Sequence, residues 1–282
     1  MRITIRHQLS TTPPEGSPNA VLQLLLTPQN GPTQSVERWS VDMAGIETAG
    51  RFTDAFGNIA HLVNQARPEG ALVVSVEGVV NTLDRHGVFG RGGPGPVPAL
   101  FKRVTPLTRA PVALYGRFRG SKDSRLDVLH ALMARVGEVL GSPDKVQSQS
   151  QSQGGQSQSQ SQSQGGPTAA EGAQLAPELP RPPATDYAQA FIGAARALNI
   201  PARYITGYLV GDEDEPAAFH AWAEGYDEAL GWVGFDAMLG LCPTDRHVRL
   251  AVGLDGHSAQ PLRAVPAGDG PVEIGVSVEA VA

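Results

Sequence analysis

Between residues 219 and 236 the chain reads Phe219-His220-Ala221-Trp222-Ala223-Glu224-Gly225-Tyr226 and then Gly231-Trp232-Val233-Gly234-Phe235-Asp236. Alternation over two such neighbouring runs, with 227–229 as the turn, predicts an antiparallel hairpin. His220, Trp222, Glu224 and Tyr226 then share one face of the first strand, and Trp232, Gly234 and Asp236 one face of the next. A fold about residue 228 would pair Glu224 with Trp232, Trp222 with Gly234 and His220 with Asp236, close enough for carboxylate to meet imidazole. Such a pair fixes the histidine tautomer and leaves the other ring nitrogen free to take a proton, so a nucleophile is expected nearby.

The rest of the chain sets this hairpin in an α+β context. Apolar runs at 21–26, 39–43, 59–63 and 72–76 recur between turn signals, with Asp54-Ala55-Phe56-Gly57-Asn58 as one hairpin turn. The break Arg91-Gly92-Gly93-Pro94-Gly95-Pro96 divides an N-terminal antiparallel β-domain over 1–95 from a second domain over 96–282. In the second domain Leu126, Leu129, Leu132, Met133, Val136, Val139 and Leu140 recur at helical spacing, with Asp123 or Ser124 to cap the helix and Gly141 to end it. Residues 147–166 repeat Gln and Ser with no apolar residue to offset the entropy of ordering, so 143–180 reads as a disordered insertion. A second helix over 184–198 buries Ala188, Phe191, Ile192, Ala195 and Leu198, and strands follow at 202–209, 219–226, 232–236, 249–254 and 272–281. A helix before an antiparallel sheet places the helix N-terminus near the strand of His220.

Composition excludes several classes of function. The net charge is -6 and no dense Lys/Arg cluster occurs, which argues against nucleic acid as a partner. No apolar run approaches a bilayer-spanning length, and Met1-Arg2-Ile3-Thr4-Ile5-Arg6 lacks the apolar region of a secretory leader, so a cytoplasmic protein off the membrane is expected. One cysteine, Cys242, rules out an internal disulfide framework and a thiolate-rich zinc site. His220 with His247 or His257 fits no compact metal-ligand spacing, and neither metal nor cofactor is expected.

Several separate segments resemble the bacterial transglutaminase-like cysteine hydrolases. They are Ala194-Ala195-Arg196-Ala197-Leu198-Asn199-Ile200-Pro201-Ala202-Arg203-Tyr204, Gly207-Tyr208-Leu209, His220-Ala221-Trp222-Ala223-Glu224, Gly231-Trp232-Val233-Gly234-Phe235-Asp236 and Cys242-Pro243-Thr244-Asp245-Arg246-His247-Val248, with weaker similarity at 54–58 and 105–108. The resemblance implies a papain-like core preceded by a β-rich region, with His220 and Asp236 as two members of a catalytic triad. The third member in that family is a cysteine that begins the core helix within Gly-Val-Cys-Gln-Asp, where the helix dipole and the histidine hold a thiolate. Here the equivalent segment is Pro182-Pro183-Ala184-Thr185-Asp186, so Ala184 stands at the nucleophile position, and the two residues before it differ as well.

The resemblance therefore points to a nucleophile-lacking member that keeps a cleft for a peptide or protein partner. The contrary reading is an active cysteine-type amidase, peptidase or acyl transferase whose cysteine is substituted in this sequence. Trp222 and Trp232 are expected to wall the cleft, and Glu224 to add a polar contact there unless Arg203 on the neighbouring strand pairs with it. Cys242 lies past the last hairpin strand and reads as a packing residue. Thr185 is turned about 100° away from the Ala184 position along the helix, out of a base's reach.

Overall fold

The structure is a computed structural model and describes residues 1–91, 95–141, 183–212, 217–268 and 270–281. The insertion expected over 143–180 lies outside the described residues. The chain folds into strands β1 (Arg2–Thr11), β2 (Asn19–Thr27), β3 (Gln34–Asp42), β4 (Gly50–Thr53), β5 (Ile59–Ala66), β6 (Leu72–Thr82) and β7 (Val88–Gly90), then helices α1 (Val112–Tyr115), α2 (Arg125–Gly141) and α3 (Ala184–Ala197). Strands β8 (Ala202–Leu209), β9 (Ala218–Asp227), β10 (Gly231–Phe235), β11 (His247–Gly253), β12 (Leu262–Val265) and β13 (Val272–Val281) complete it.

Three antiparallel sheets result, in the orders β13-β1-β6-β3, β12-β2-β5-β4 and β11-β8-β9-β10-β7. The first two face each other across Ile3, Ile5, Leu22, Leu24, Leu26, Val63, Val74 and Val76. The boundary drawn at residue 95 does not follow these sheets. Strands β12 and β13 return from the C-terminal part to pair with β2 and β1, while β7 leaves the N-terminal part to pair with β10. Hydrogen bonding along a sheet edge thus ties the two parts together, a partnership that hydrophobic period alone does not specify.

Helices α2 and α3 cover one face of the third sheet, where Leu129, Leu132, Val136, Phe191 and Ile192 pack on Ala221, Ala223 and Phe235. Each such fully buried large side chain contributes about 1.5–3 kcal/mol. Small residues on β9 permit the approach: a Cβ added at Gly225 would lie 3.0 Å from Leu129 Cδ1. Ser124 caps α2, its Oγ accepting from Asp127 N at 3.1 Å and donating to Asp127 Oδ2 at 2.6 Å.

The direction of α3 positions the site. Its C-terminal end turns into β8 through Asn199 at φ 63°, with Ile200 N donating to Ala195 O at 3.0 Å, and β8 runs antiparallel to β9 with Ala202 opposite Gly225. A helix of about 20 Å packed along β9 therefore runs back from the Gly225 end of that strand towards the end where β9 begins. Arg196 locks the other end: its buried guanidinium donates to Phe101 O, Ala202 O and Leu254 O and to Thr108 Oγ1. Burial draws the pKa of this side chain down to about 10.

Candidate functional site

His220 and Asp236 meet as expected, but through a different register. Trp232 lies opposite Tyr226 and Gly234 opposite Glu224, so the hairpin folds about residue 229 and each residue pairs two positions away from the partner that a fold about residue 228 requires. A two-residue displacement keeps every side chain on its face. His220 reaches Asp236 on the diagonal, its Nε2 lying 2.5 Å from Asp236 Oδ2. With Nε2–H directed at the carboxylate, Nδ1 carries the ring's lone pair.

Asp236 is held from four directions. Its Oδ1 accepts from Met238 N at 3.1 Å and Leu239 N at 3.2 Å, while Oδ2 accepts from His220 and, at 3.3 Å, from His247 Nε2. Burial alone would raise its pKa; the hydrogen bonds and charges of the two histidines outweigh that and hold it at about 2. His247 is a member that sequence reasoning considered only as a metal ligand. It comes from the start of β11. Its Nδ1 accepts from Thr244 N at 3.1 Å, which fixes the proton on Nε2 and aims it at Asp236.

The three groups His220, Asp236 and His247 lie within 4.8 Å of one another, close enough to suggest a cation site that the spacing argument did not find; His257 is not among them. The tautomer of His247 argues against that use, because the nitrogen facing the cluster carries a proton and no lone pair. As bonded, the cluster is an imidazole–carboxylate–imidazole network.

The expected cleft residues are placed differently. Trp222 is 3% exposed and Trp232 is 4% exposed, and both belong to a core with Phe101, Ile205, Val252 and Leu254. Trp222 backs the network, its ring 6.4 Å from that of His220 and edge-on to His247 at 5.4 Å. Glu224 is not a free cleft contact. Its buried carboxylate accepts from Arg203 Nε at 2.6 Å and Arg249 Nε at 2.9 Å, and Arg203 lies over the Trp232 ring at 3.9 Å. Both faces of β9 are covered, one by the helices and the other by this aromatic and ionic layer, so these residues support the site from behind.

At the helix end, Pro183 is the N-cap and Ala184 is the first residue of α3, half-buried against the core. Thr185 accepts a hydrogen bond from Tyr204 Oη at 3.0 Å, on the face of β8 opposite to that of His220's partner Gly207. Cys242 sits after the hairpin, its Sγ 3.6 Å from His130 Nε2, and burial pushes its thiol pKa up.

A helix packed along a strand that bears histidine, with an aspartate from the next strand meeting that histidine, is the arrangement of papain-like cysteine hydrolases. The chain belongs to the transglutaminase-like superfamily: residues 159–237 match the transglutaminase-like core, and residues 3–81 match the bacterial transglutaminase-like N-terminal region. A crystal structure of a candidate cysteine protease from Cytophaga hutchinsonii superposes with a TM-score of 0.64, covering 99% of this chain and 89% of that one at 17% identity. At that identity the likeness concerns the fold. An uncharacterized protein of Mycobacterium leprae is 30% identical over 101 residues, which are 33% of this chain and 35% of that protein, so the match spans about a third of its length.

Proposed function

We propose that this chain is a transglutaminase-like protein without acyl-transfer or amide-hydrolysis chemistry, which uses the inherited site to bind a peptide or a segment of a protein partner. The observation that carries this reading is Ala184 at the first position of α3. A methyl group has no lone pair with which to attack a carbonyl carbon. The flanking residues support it: Thr185 is engaged by Tyr204, and Cys242 is beside His130 on α2. His220 and Asp236 keep the geometry of a general base, which without a nucleophile remains a hydrogen-bonding pair for a bound amide.

The purified chain, given a glutamine-containing protein with a fluorescent amine and, separately, peptide amides, is expected to turn over neither. Robust turnover that disappears in His220→Ala overturns the proposal. The binding half is read by the His220 ring resonances, which are expected to move on titration with peptides that occupy the site.

A further inference from the structure

On the face of the third sheet away from the helices, the buried guanidinium of Arg203 and the half-buried one of Arg249 share one carboxylate. Among the described residues Glu224 is the only acid in contact with Arg203 or Arg249, so the cluster carries one uncompensated positive charge. Arg203 is 7% exposed. Its Nη2 lies 2.6 Å from Glu224 Oε2, at an angle that makes no hydrogen bond, and is left buried without an acceptor. Burial, with the repulsion of the Arg249 charge, pulls the pKa of Arg203 down to about 10 against the opposing pull of Glu224.

Both arginines line one cavity of about 100 Å³ between the N-terminal sheets and β11. Phe89 forms a wall and lies under Arg249 at 4.5 Å. Two of the carboxamides that line the cavity are already engaged. Gln34 is committed to Arg249 N, Arg249 O and Gln29 O, and Asn58 to Val252 N, Val252 O and Asp54. These bonds fix the cavity's polar wall in place.

We propose that this cavity binds a carboxylate group, held by the remaining N–H groups of Arg203 and Arg249. The planar fork of a guanidinium matches a carboxylate, the cavity admits a group of that size, and a bound anion would bring the cluster to charge balance. The cavity is distinct from the His220–Asp236–His247 network, which adjoins the same ionic layer through Trp222 and Glu224, and the proposal does not rest on what Ala184 implies.

The test titrates the full-length chain with sodium acetate against sodium chloride at matched ionic strength. The readouts are tryptophan fluorescence, since Trp232 lies beneath Arg203, and thermal midpoint. Acetate is expected to give a saturable response, weakened roughly tenfold or more in Arg249→Met. Arg249→Lys keeps the charge and loses the fork, so it should fold and bind several-fold more weakly; it decides the matter should Arg249→Met fail to fold. N-acetyl-glutamate amide is the second probe. Binding of both probes assigns the site to an acidic side chain of a partner, and binding of acetate alone to a small free carboxylate. No saturable response to either probe, or an acetate affinity unchanged in Arg249→Met or, where that variant does not fold, in Arg249→Lys, overturns the proposal.

Discussion

Replacing Glu224 by Gln removes the one negative charge from a buried cluster while keeping its shape. Glu224 is 2% exposed and accepts from Arg203 Nε at 2.6 Å, Arg249 Nε at 2.9 Å and Arg249 Nη2 at 3.4 Å. In Glu224→Gln the buried guanidinium of Arg203 and the half-buried one of Arg249 are left with no anion between them. Removing one partner of a buried ion pair typically costs about 3–5 kcal/mol, mostly as the penalty on the charge left behind. At roughly 2–4 °C per kcal/mol for a chain of this size, the thermal midpoint should fall by about 6–20 °C. Burial raises the Glu224 pKa, yet the charges of Arg203 and Arg249 outweigh it and leave it lowered. The carboxylate therefore stabilises the wild type above the ordinary glutamate pKa, and this contribution fades as pH falls through the depressed value. Calorimetric scans of both proteins from neutral to acid pH measure the gap and its closing. A Glu224→Gln protein within about 1 kcal/mol of wild type at neutral pH would place the triad with exposed surface pairs and refute the reasoning.

The same linkage holds at Asp236, whose pKa drops from 3.8 to about 2 on folding. That drop corresponds to roughly 2 kcal/mol, present above about pH 4 and lost as pH falls towards 2, so urea melts of wild type and Asp236→Asn should converge over that window. Gly193→Ala sets a Cβ 2.5 Å from Thr108 O, a backbone atom that cannot swing aside, and is expected to cost about 1–3 kcal/mol by chemical denaturation. Ser124→Ala removes the α2 cap and should cost about 1 kcal/mol in the same measurement.

What the sequence made legible follows the range of the forces involved. Strands at 202–209 and 272–281 and the helix starting at Ala184 are where local period puts them. The alternation Ile3, Ile5, Leu9 in β1 is equally legible, although residues 1–6 enter the sequence reading only as lacking the apolar region of a secretory leader. The hairpin register depends on the turn: the Asp227 carboxylate accepts from Ala229 N and Leu230 N, and Gly231 takes φ 82°, which sets the loop at 228–230, one residue further along than expected. Burial of Trp222 and Trp232 was hidden because a strand covered on both faces still alternates in residue type. His247 reaches Asp236 through the folding-back of 237–246, which no spacing encodes. The two outlying segments that resemble the family prove to be anchors, with Asn58 bonded to Val252 and Thr108 to Arg196.

The central proposal is that Ala184 stands at the position of the family's nucleophile, within reach of His220. Alkylation of Ala184→Cys by iodoacetamide across pH, in a Cys242→Ser background, tests it directly. The helix N-terminus and an adjacent imidazole should give a thiol that titrates well below the ordinary cysteine value of about 8.5 and moves up towards it when His220→Ala is added. A thiol at residue 184 with an ordinary pKa, indifferent to His220, would contradict the claim.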